Sequence, residues 1–241
     1  MVGLGTIINA AAIVAGGLCG LLFGRKIKEQ AQDTLMLSCG VCVLFLGIAG
    51  TMEKMLQVEG GALTSGRALF IVVCLALGGV VGEIIDLENG FERFGNWLKI
   101  KTGSAKDTQF VNGFVTASLT VCIGAMAIVG AIEDGVSGDY SVLATKGVLD
   151  FVIVMVMTCT MGKGCIFSAI PVAIWEGLIT VLAGFLRPLL TEAILANISL
   201  IGSILIFCVG INLVWGKKIR VANLLPSLIF AVVFALLPVS F

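Results

Sequence analysis

The chain contains no histidine. Histidine-ligated haem, histidine-bearing zinc sites and His-based triads are therefore excluded within this chain. Charge is scarce too. Asp, Glu, Lys and Arg make up 12% of the 241 residues, against about a quarter in soluble globular domains. The 15 basic and 15 acidic residues cancel, so there is no basic excess to hold a nucleic acid, and no nucleic-acid partner is expected. What remains is apolar: 59% of residues are hydrophobic and the mean hydropathy is +1.12. Such long apolar runs predict an all-α, polytopic helical membrane protein embedded in membrane lipids.

Eight cysteines are present, and all fall within or at the ends of apolar segments. Cys39 and Cys42 spell C-x-x-C, but they share one face of an apolar helix and have no second pair. They read as small hydrophobes, with neither a disulfide nor a metal implied. No metal and no cofactor are expected.

The first 24 residues carry no basic residue, and Arg25, Lys26 and Lys28 follow the apolar run. That order predicts an uncleaved first helix with its amino end outside. Eight spans follow from the hydropathy, at about 3–24, 34–52, 68–87, 109–132, 147–162, 165–186, 193–215 and 221–240. A crossing needs about 20 residues, so the fifth is short, and it reads as either a full crossing or a re-entrant loop. With eight crossings the inside loops hold Arg25, Lys26, Lys28, Arg93, Lys99, Lys101, Lys106, Lys163, Lys217, Lys218 and Arg220. The outside loops hold Lys54, Arg67, Lys146 and Arg187. The bias of basic residues toward the inside favours this arrangement, with both termini outside.

The whole chain, 1–241, reads as a single transmembrane domain. Within it, the connection 83–107 carries Leu87, Phe91, Phe94 and Leu98 at helical spacing, with Glu88, Glu92, Arg93 and Lys99 opposite and Trp97 beside them. This predicts an amphipathic helix lying in the cytoplasmic interface. No other connection could house a soluble catalytic domain, and no nucleophile-plus-base spacing is present, so an enzyme is not expected. A weak internal similarity relates GGLCGLLFGRKI and LSCGVCVLFLGI to ITVLAGFLRPLL and LIGSILIFCVGI. If spans 1–3 correspond to spans 6–8, the odd offset makes the repeat inverted, a common build of secondary transporters.

The stretch Asn112–Asp134, NGFVTASLTVCIGAMAIVGAIED, stands out. Thr116, Thr120, Gly124, Ala127, Ala131 and Asp134 recur every three or four residues, giving one small and polar helix face. A face of that kind packs on other helices or lines a polar path. Gly124 and Gly130 interrupt its second half.

Ionisable groups inside a membrane are costly and are functional suspects by default. Glu176 is the clearest, lying midway between Lys163 and Arg187 on a stripe with Ser168, Val172, Thr180 and Gly184. The plainer alternative is a hydrogen-bonded strut to Asn9 or Asn212. Asp150 sits near the outer end of span 5, with Thr158 two turns along on its face. Glu133, Asp134 and Asp150 all lie where a carboxylate could simply reach water. The glycine ladders Gly16/Gly20/Gly24 and Gly78/Gly82 have GxxxG spacing, which permits close helix contact within one chain or in a homo-oligomer.

Two segments, CIGAMAIVGAIEDG (122–135) and KGVLDFVIVMVMTCTMGKGCIFSAIPVAIWEG (146–177), resemble the signature of a family of uncharacterised bacterial inner-membrane proteins, the YqgA/YdfK-like family. GTIINAAAIVAGGLCG (5–20) and LALGGVVGEIIDLENGFERFG (75–95) extend the resemblance over essentially the whole chain. It implies a bacterial plasma-membrane location and a transport protein of unknown substrate, and it adds no catalytic residues.

The resulting expectation is a secondary transporter of a small solute or ion, with its path between spans 4, 5 and 6. Thr116, Thr120 and Gly124 would offer hydroxyls and exposed backbone, with Thr158 nearby, and Glu176, Asp134 or Asp150 would serve as proton or cation sites. The alternatives are an oligomeric channel and a lipid-handling protein. Charge counting puts the hydroxyls of 112–134 in the inner half of the membrane and the Glu133-Asp134 pair at the outer mouth.

Overall fold

The computed structural model describes residues 1–24, 28–59, 61–188 and 191–236. Among the described residues ten α-helices follow in order: α1 (Leu4–Gly24), α2 (Glu29–Met55), α3 (Ala68–Ile85), α4 (Leu87–Lys101), α5 (Phe110–Cys122), α6 (Ala125–Ser137), α7 (Ser141–Met161), α8 (Ala169–Leu186), α9 (Glu192–Trp215) and α10 (Pro226–Leu236). Short 3-10 turns, Lys163–Ser168 and Val221–Leu224, lead into α8 and α10. Between α2 and α3 lies an antiparallel hairpin, β1 (Leu56–Glu59) and β2 (Ala62–Ser65), which the hydropathy did not suggest.

Six described helices are long and apolar enough to cross a membrane: α1, α2, α3, α7, α9, and α8 with its leading turn. The pair α5 and α6 qualifies as a seventh if counted as one span bent by 63°. The last apolar helix, Val221–Leu236, is shorter. The protein is therefore a polytopic helical membrane protein. Six of the eight predicted spans are continuous, the fourth is a bent pair, and the eighth is described over Val221–Leu236, the rest of its predicted range lying outside the described residues.

Small residues set how these helices approach. A side chain at Gly16 or Gly20 would strike the carbonyl of Phe151 or Met155, and one at Gly24 would meet Cys159. These contacts climb α1 and α7 together, so the two helices run parallel. Gly40, Gly47 and Gly50 of α2 meet Val214, Phe207 and Ser203 in turn, so α9 runs antiparallel to α2. Gly78 and Gly82 of α3 meet Ser227 and Asn223, which makes α10 antiparallel to α3. Both predicted glycine ladders are thus filled by the chain's own helices.

These pairings fix two ends of the bundle. One end carries the start of α1, the hairpin, and the joins α6–α7 and α8–α9. The other carries α4, the start of α5 and the joins α7–α8 and α9–α10. We call them the hairpin side and the α4 side.

Two predicted boundaries need correction. Span 5 is not short: α7 begins at Ser141 rather than 147 and runs 21 residues alongside α1. The mistake came from placing Lys146 in a loop, whereas it is buried inside the helix. Span 4 is not one helix, because the chain breaks at Ile123–Gly124. Gly124 has φ 151° and ψ 149°, a conformation essentially reserved for glycine. The continuous face from Thr116 to Asp134 is consequently split between two helices that point differently.

On the α4 side, α4 seats its apolar face against the bundle. Leu98 is buried, Leu87 and Phe91 pack on the core, and the Phe94 ring lies edge-on to Phe114 at 5.7 Å. Trp97 stays exposed, stacked over Phe94. The sharp turn from α3 into α4 is made by Asp86, in the left-handed conformation at φ 58°. Asn89 and then Arg220 donate hydrogen bonds to its carboxylate, which holds that group below the usual aspartate range.

Candidate functional site

A cluster of ionisable side chains lies inside the bundle where α1, α7 and α8 meet. Glu176 of α8 is fully buried. Its Oε1 accepts a hydrogen bond from Asn9 Nδ2 of α1 at 2.8 Å and lies 3.4 Å from Lys146 Nζ of α7. Lys146 also donates to Asp150, one turn further along α7. Lys146 and Asp150 are 6% and 4% exposed, so this is an interior network and not a surface salt bridge. One ammonium therefore faces two carboxylates.

Local sequence explains how the groups meet. Lys146 and Asp150 are spaced i, i+4, which places them on one face of α7. Gly147, beside Lys146, lets Asn9 of α1 come close: a Cβ there would lie 3.4 Å from the Asn9 Cα. From α5, Cys122 is within electrostatic reach of Lys146, Glu176 and Asp150. The break follows directly on Cys122, between α5 and α6. At that break the last carbonyls of α5 and the first N–H groups of α6 leave the helical ladder. A Cβ built on Gly124 would meet nothing within 4 Å, so there is open space beside it.

A separate cavity of about 810 Å³ lies toward the α4 side. Val111, Asn112, Val115, Thr116 and Leu119 of α5 form one wall, and Met161, Val209, Asp33, Glu88, Glu92 and Lys217 are also among its lining. None of Asn9, Lys146, Asp150 and Glu176 lines it. Leu119 belongs to the cavity lining, and Val121 and Ile123, further along the chain from it, are buried. The chamber and the charged site are thus lined by different residues.

The predicted site residues therefore separate. Glu176 and Asp150 are brought together, and Asn9 is the strut partner of Glu176. Asn212 has another task, accepting from the N–H groups of Lys218 and Ile219 to close the turn after α9. Thr116 lines the cavity. Thr120 donates its hydroxyl to the Thr116 carbonyl at 2.7 Å, so that donor is spent within the helix. Thr158 is buried where α7 meets Gly20 of α1, away from the charged network. Asp134 does not reach water at an outer mouth. It is fully buried, and its Oδ1 and Oδ2 accept from the N–H groups of Gly3 and Gly5 at 3.2 and 2.9 Å. It thereby satisfies free donors at the start of α1.

Lys146 is the member that sequence reasoning missed. The available signal was its spacing to Asp150, since an i, i+4 pair can enter a span together as a hydrogen-bonded, neutralised unit.

Residues 4–236 match the model of a protein family of unknown function, DUF554. The chain belongs to this family. A relative from Bacillus subtilis (strain 168), described as the uncharacterized membrane protein YdfK, is 32% identical over 93% of this chain and 92% of its own length. The uncharacterized protein YqgA from Escherichia coli (strain K12) is 28% identical over 95% of this chain and 94% of its own. No solved structure matches the chain. The family expected from the signature segments is the one found.

Proposed function

We propose that the protein is a secondary transporter of a small solute or ion in the bacterial inner membrane, working by alternating access. The buried Lys146–Asp150–Glu176 network carries this reading. Ionisable groups within a membrane bundle are expensive, and those that persist commonly mark ion and substrate pathways. The bent α5–α6 pair beside it supports the same reading, since transporter sites are typically built at interrupted helices. The cavity would be the chamber open to one side, with Thr116 and Asn112 on its wall. Leu119, Val121 and Ile123 would form the closed gate between chamber and charged site.

The α4 side would face the cytoplasm, with α4 lying at that interface. Moving Lys146 from loop to helix leaves Lys54, Arg67 and Arg187 as the outside basic residues, which strengthens the bias. The inverted repeat belongs to the same proposal: its counterparts pack pairwise, α2 on α9 and α3 on α10. A homo-oligomer would have to use faces other than the two glycine ladders.

The test is flux into proteoliposomes, with a panel of small solutes and ions, compared between wild type and Glu176→Gln. Loss of a wild-type flux in the variant supports the reading. Unchanged flux removes Glu176 from the mechanism, and unitary conductance steps in planar bilayers would replace the carrier with a channel.

A further inference from the structure

Two buried polar atoms lack a partner where Asn9 meets Glu176. Asn9 Nδ2 donates to Glu176 Oε1. The remaining atom of each group, Asn9 Oδ1 and Glu176 Oε2, has no hydrogen-bond partner among the described residues. Both side chains are fully buried, where an unmet polar atom is costly. Both atoms are acceptors, so neither can satisfy the other while Glu176 is ionised. A carboxylic acid and a primary amide that share one N–H to oxygen bond can close a second, O–H to carbonyl, when the acid is protonated and the two groups face each other. One hydrogen thus answers both unmet acceptors.

The charge balance points the same way. Lys146 and Asp150 on α7 form the closer ion pair, with Glu176 further from the ammonium. α1 contributes only the neutral Asn9. α5 contributes the thiol of Cys122. Asp134 of α6 is committed to the first N–H groups of α1. With Glu176 ionised, the buried network carries one unbalanced negative charge. With Glu176 protonated, it carries none.

We infer that Glu176 holds a proton on Oε2, donated to Asn9 Oδ1, and that this proton is the coupling ion of the transport cycle. The second half rests on the transport reading above, while the first half does not. On release the Oε2–H bond breaks, the bonding electrons stay on the carboxylate and the proton passes to water in the opened path. The new carboxylate charge is met by Lys146 Nζ, already 3.4 Å from Oε1. Lys146 is in this sense a positioning residue that tempers the charge of the empty carrier, shared between Asp150 and Glu176, with one negative charge left over until a proton returns. Asn9 is the group that senses whether the proton is present.

The test is infrared spectroscopy of the purified protein in lipid nanodiscs at pH 7, reading the carbonyl stretch of buried carboxylic acids. The expected result is a band that vanishes in Glu176→Gln and persists in Glu192→Gln, an exposed control. In Asn9→Ala the band should remain but shift, because the acid O–H loses its amide acceptor. Asn9→Ala also keeps the test open if Glu176→Gln does not fold. Absence of a Glu176-dependent band, with the carboxylate stretch present instead, would overturn the proposal. So would a band that changes when sodium replaces choline in the buffer, since that assigns the unmet acceptors to a metal cation. An unmoved band in Asn9→Ala would refute the pairing. None of these readouts needs a substrate. A protein with the band and no proton-dependent flux would lose the transport reading alone.

Discussion

Replacing Lys146 with methionine keeps the length and packing of the side chain and removes its charge. Asp150, 4% exposed, then loses its ammonium partner and must either remain charged in the bilayer interior or take up a proton. Protonation sets the ceiling on the cost. Moving a carboxyl of ordinary pKa near 3.9 to its neutral form at pH 7 costs about 4 kcal/mol, at 1.36 kcal/mol per pH unit. At pH 5 the same step costs about 1.5 kcal/mol. The destabilisation should therefore be large at pH 7 and shrink toward pH 5. For a chain of this size the melting temperature should fall by roughly 8–16 °C at pH 7 and by about 3–6 °C at pH 5. The direction follows from proton count: the folded variant binds a proton that the unfolded chain does not hold at pH 7, so stability drops as pH rises. The double variant Lys146→Met/Asp150→Leu removes both charges and should lie close to wild type at both pH values, because a buried ion pair exchanged for apolar groups is often neutral in cost. Thermal melts of nanodisc samples at the two pH values decide the matter. A single variant as stable as wild type at pH 7, or equally destabilised at both pH values, would refute an ionised Lys146–Asp150 pair.

Three further outcomes follow from other sites. Asp134→Ala removes the acceptor for the Gly3 and Gly5 N–H groups and should cost about 1–2 kcal/mol, with hydrogen exchange rising at the first turn of α1 and nowhere else on that helix. Gly124→Ala meets no neighbour, yet φ 151° excludes an L side chain. It should cost about 1–3 kcal/mol through the backbone alone, with the α5–α6 angle changing in a density map. Lys217 lies outside the spans: burial alone would lower its pKa, but hydrogen bonds to Glu92 and Glu88, and their charges, outweigh this and raise it above 10.5. Its contribution should be present in full below about pH 10.5 and be lost as pH rises further. Because the side chain is 46% exposed, Lys217→Met should cost at most about 1 kcal/mol at neutral pH, as read from melts between pH 7 and 11.

Hydropathy and glycine spacing made the class and most spans legible before any coordinates. GxxxG ladders bring backbones together whatever they face, and Gly16, Gly20, Gly78 and Gly82 do so here. Glu176 was legible because a lone carboxylate in an apolar run is anomalous by itself. Lys146 was not, because a lysine near the end of an apolar run looks like a loop residue until Asp150 is recognised as its helical partner. Asp134 was misplaced for a related reason: position along a span says how deep a carboxylate lies, and nothing about a neighbouring helix whose first N–H groups need an acceptor. The break at Gly124 was suggested by the glycine but hidden by the regular polar spacing across it. That spacing continues in sequence even though the two helices bend apart. The hairpin at 56–65 is all loop by hydropathy, and its pairing rests on backbone hydrogen bonds that side-chain patterns barely encode.

The bond between Asn9 and Glu176 spans 167 positions of the chain, and this separation has a consequence for biogenesis. At about 5–20 residues per second of synthesis, the first helix waits roughly 8–33 s in the bilayer before its carboxyl partner is made. Lys146 and Asp150 emerge within one helical turn of each other and can partition into lipid as a self-neutralised unit. Asn9 has no such local partner, and the first N–H groups of α1 lack their acceptor until Asp134 is made. The order of insertion therefore leaves α1 as an early, incompletely satisfied guest whose final seat is built only when α6, α7 and α8 arrive. Nascent chains arrested before residue 176 should hold α1 loosely and be favoured substrates for membrane quality-control proteases.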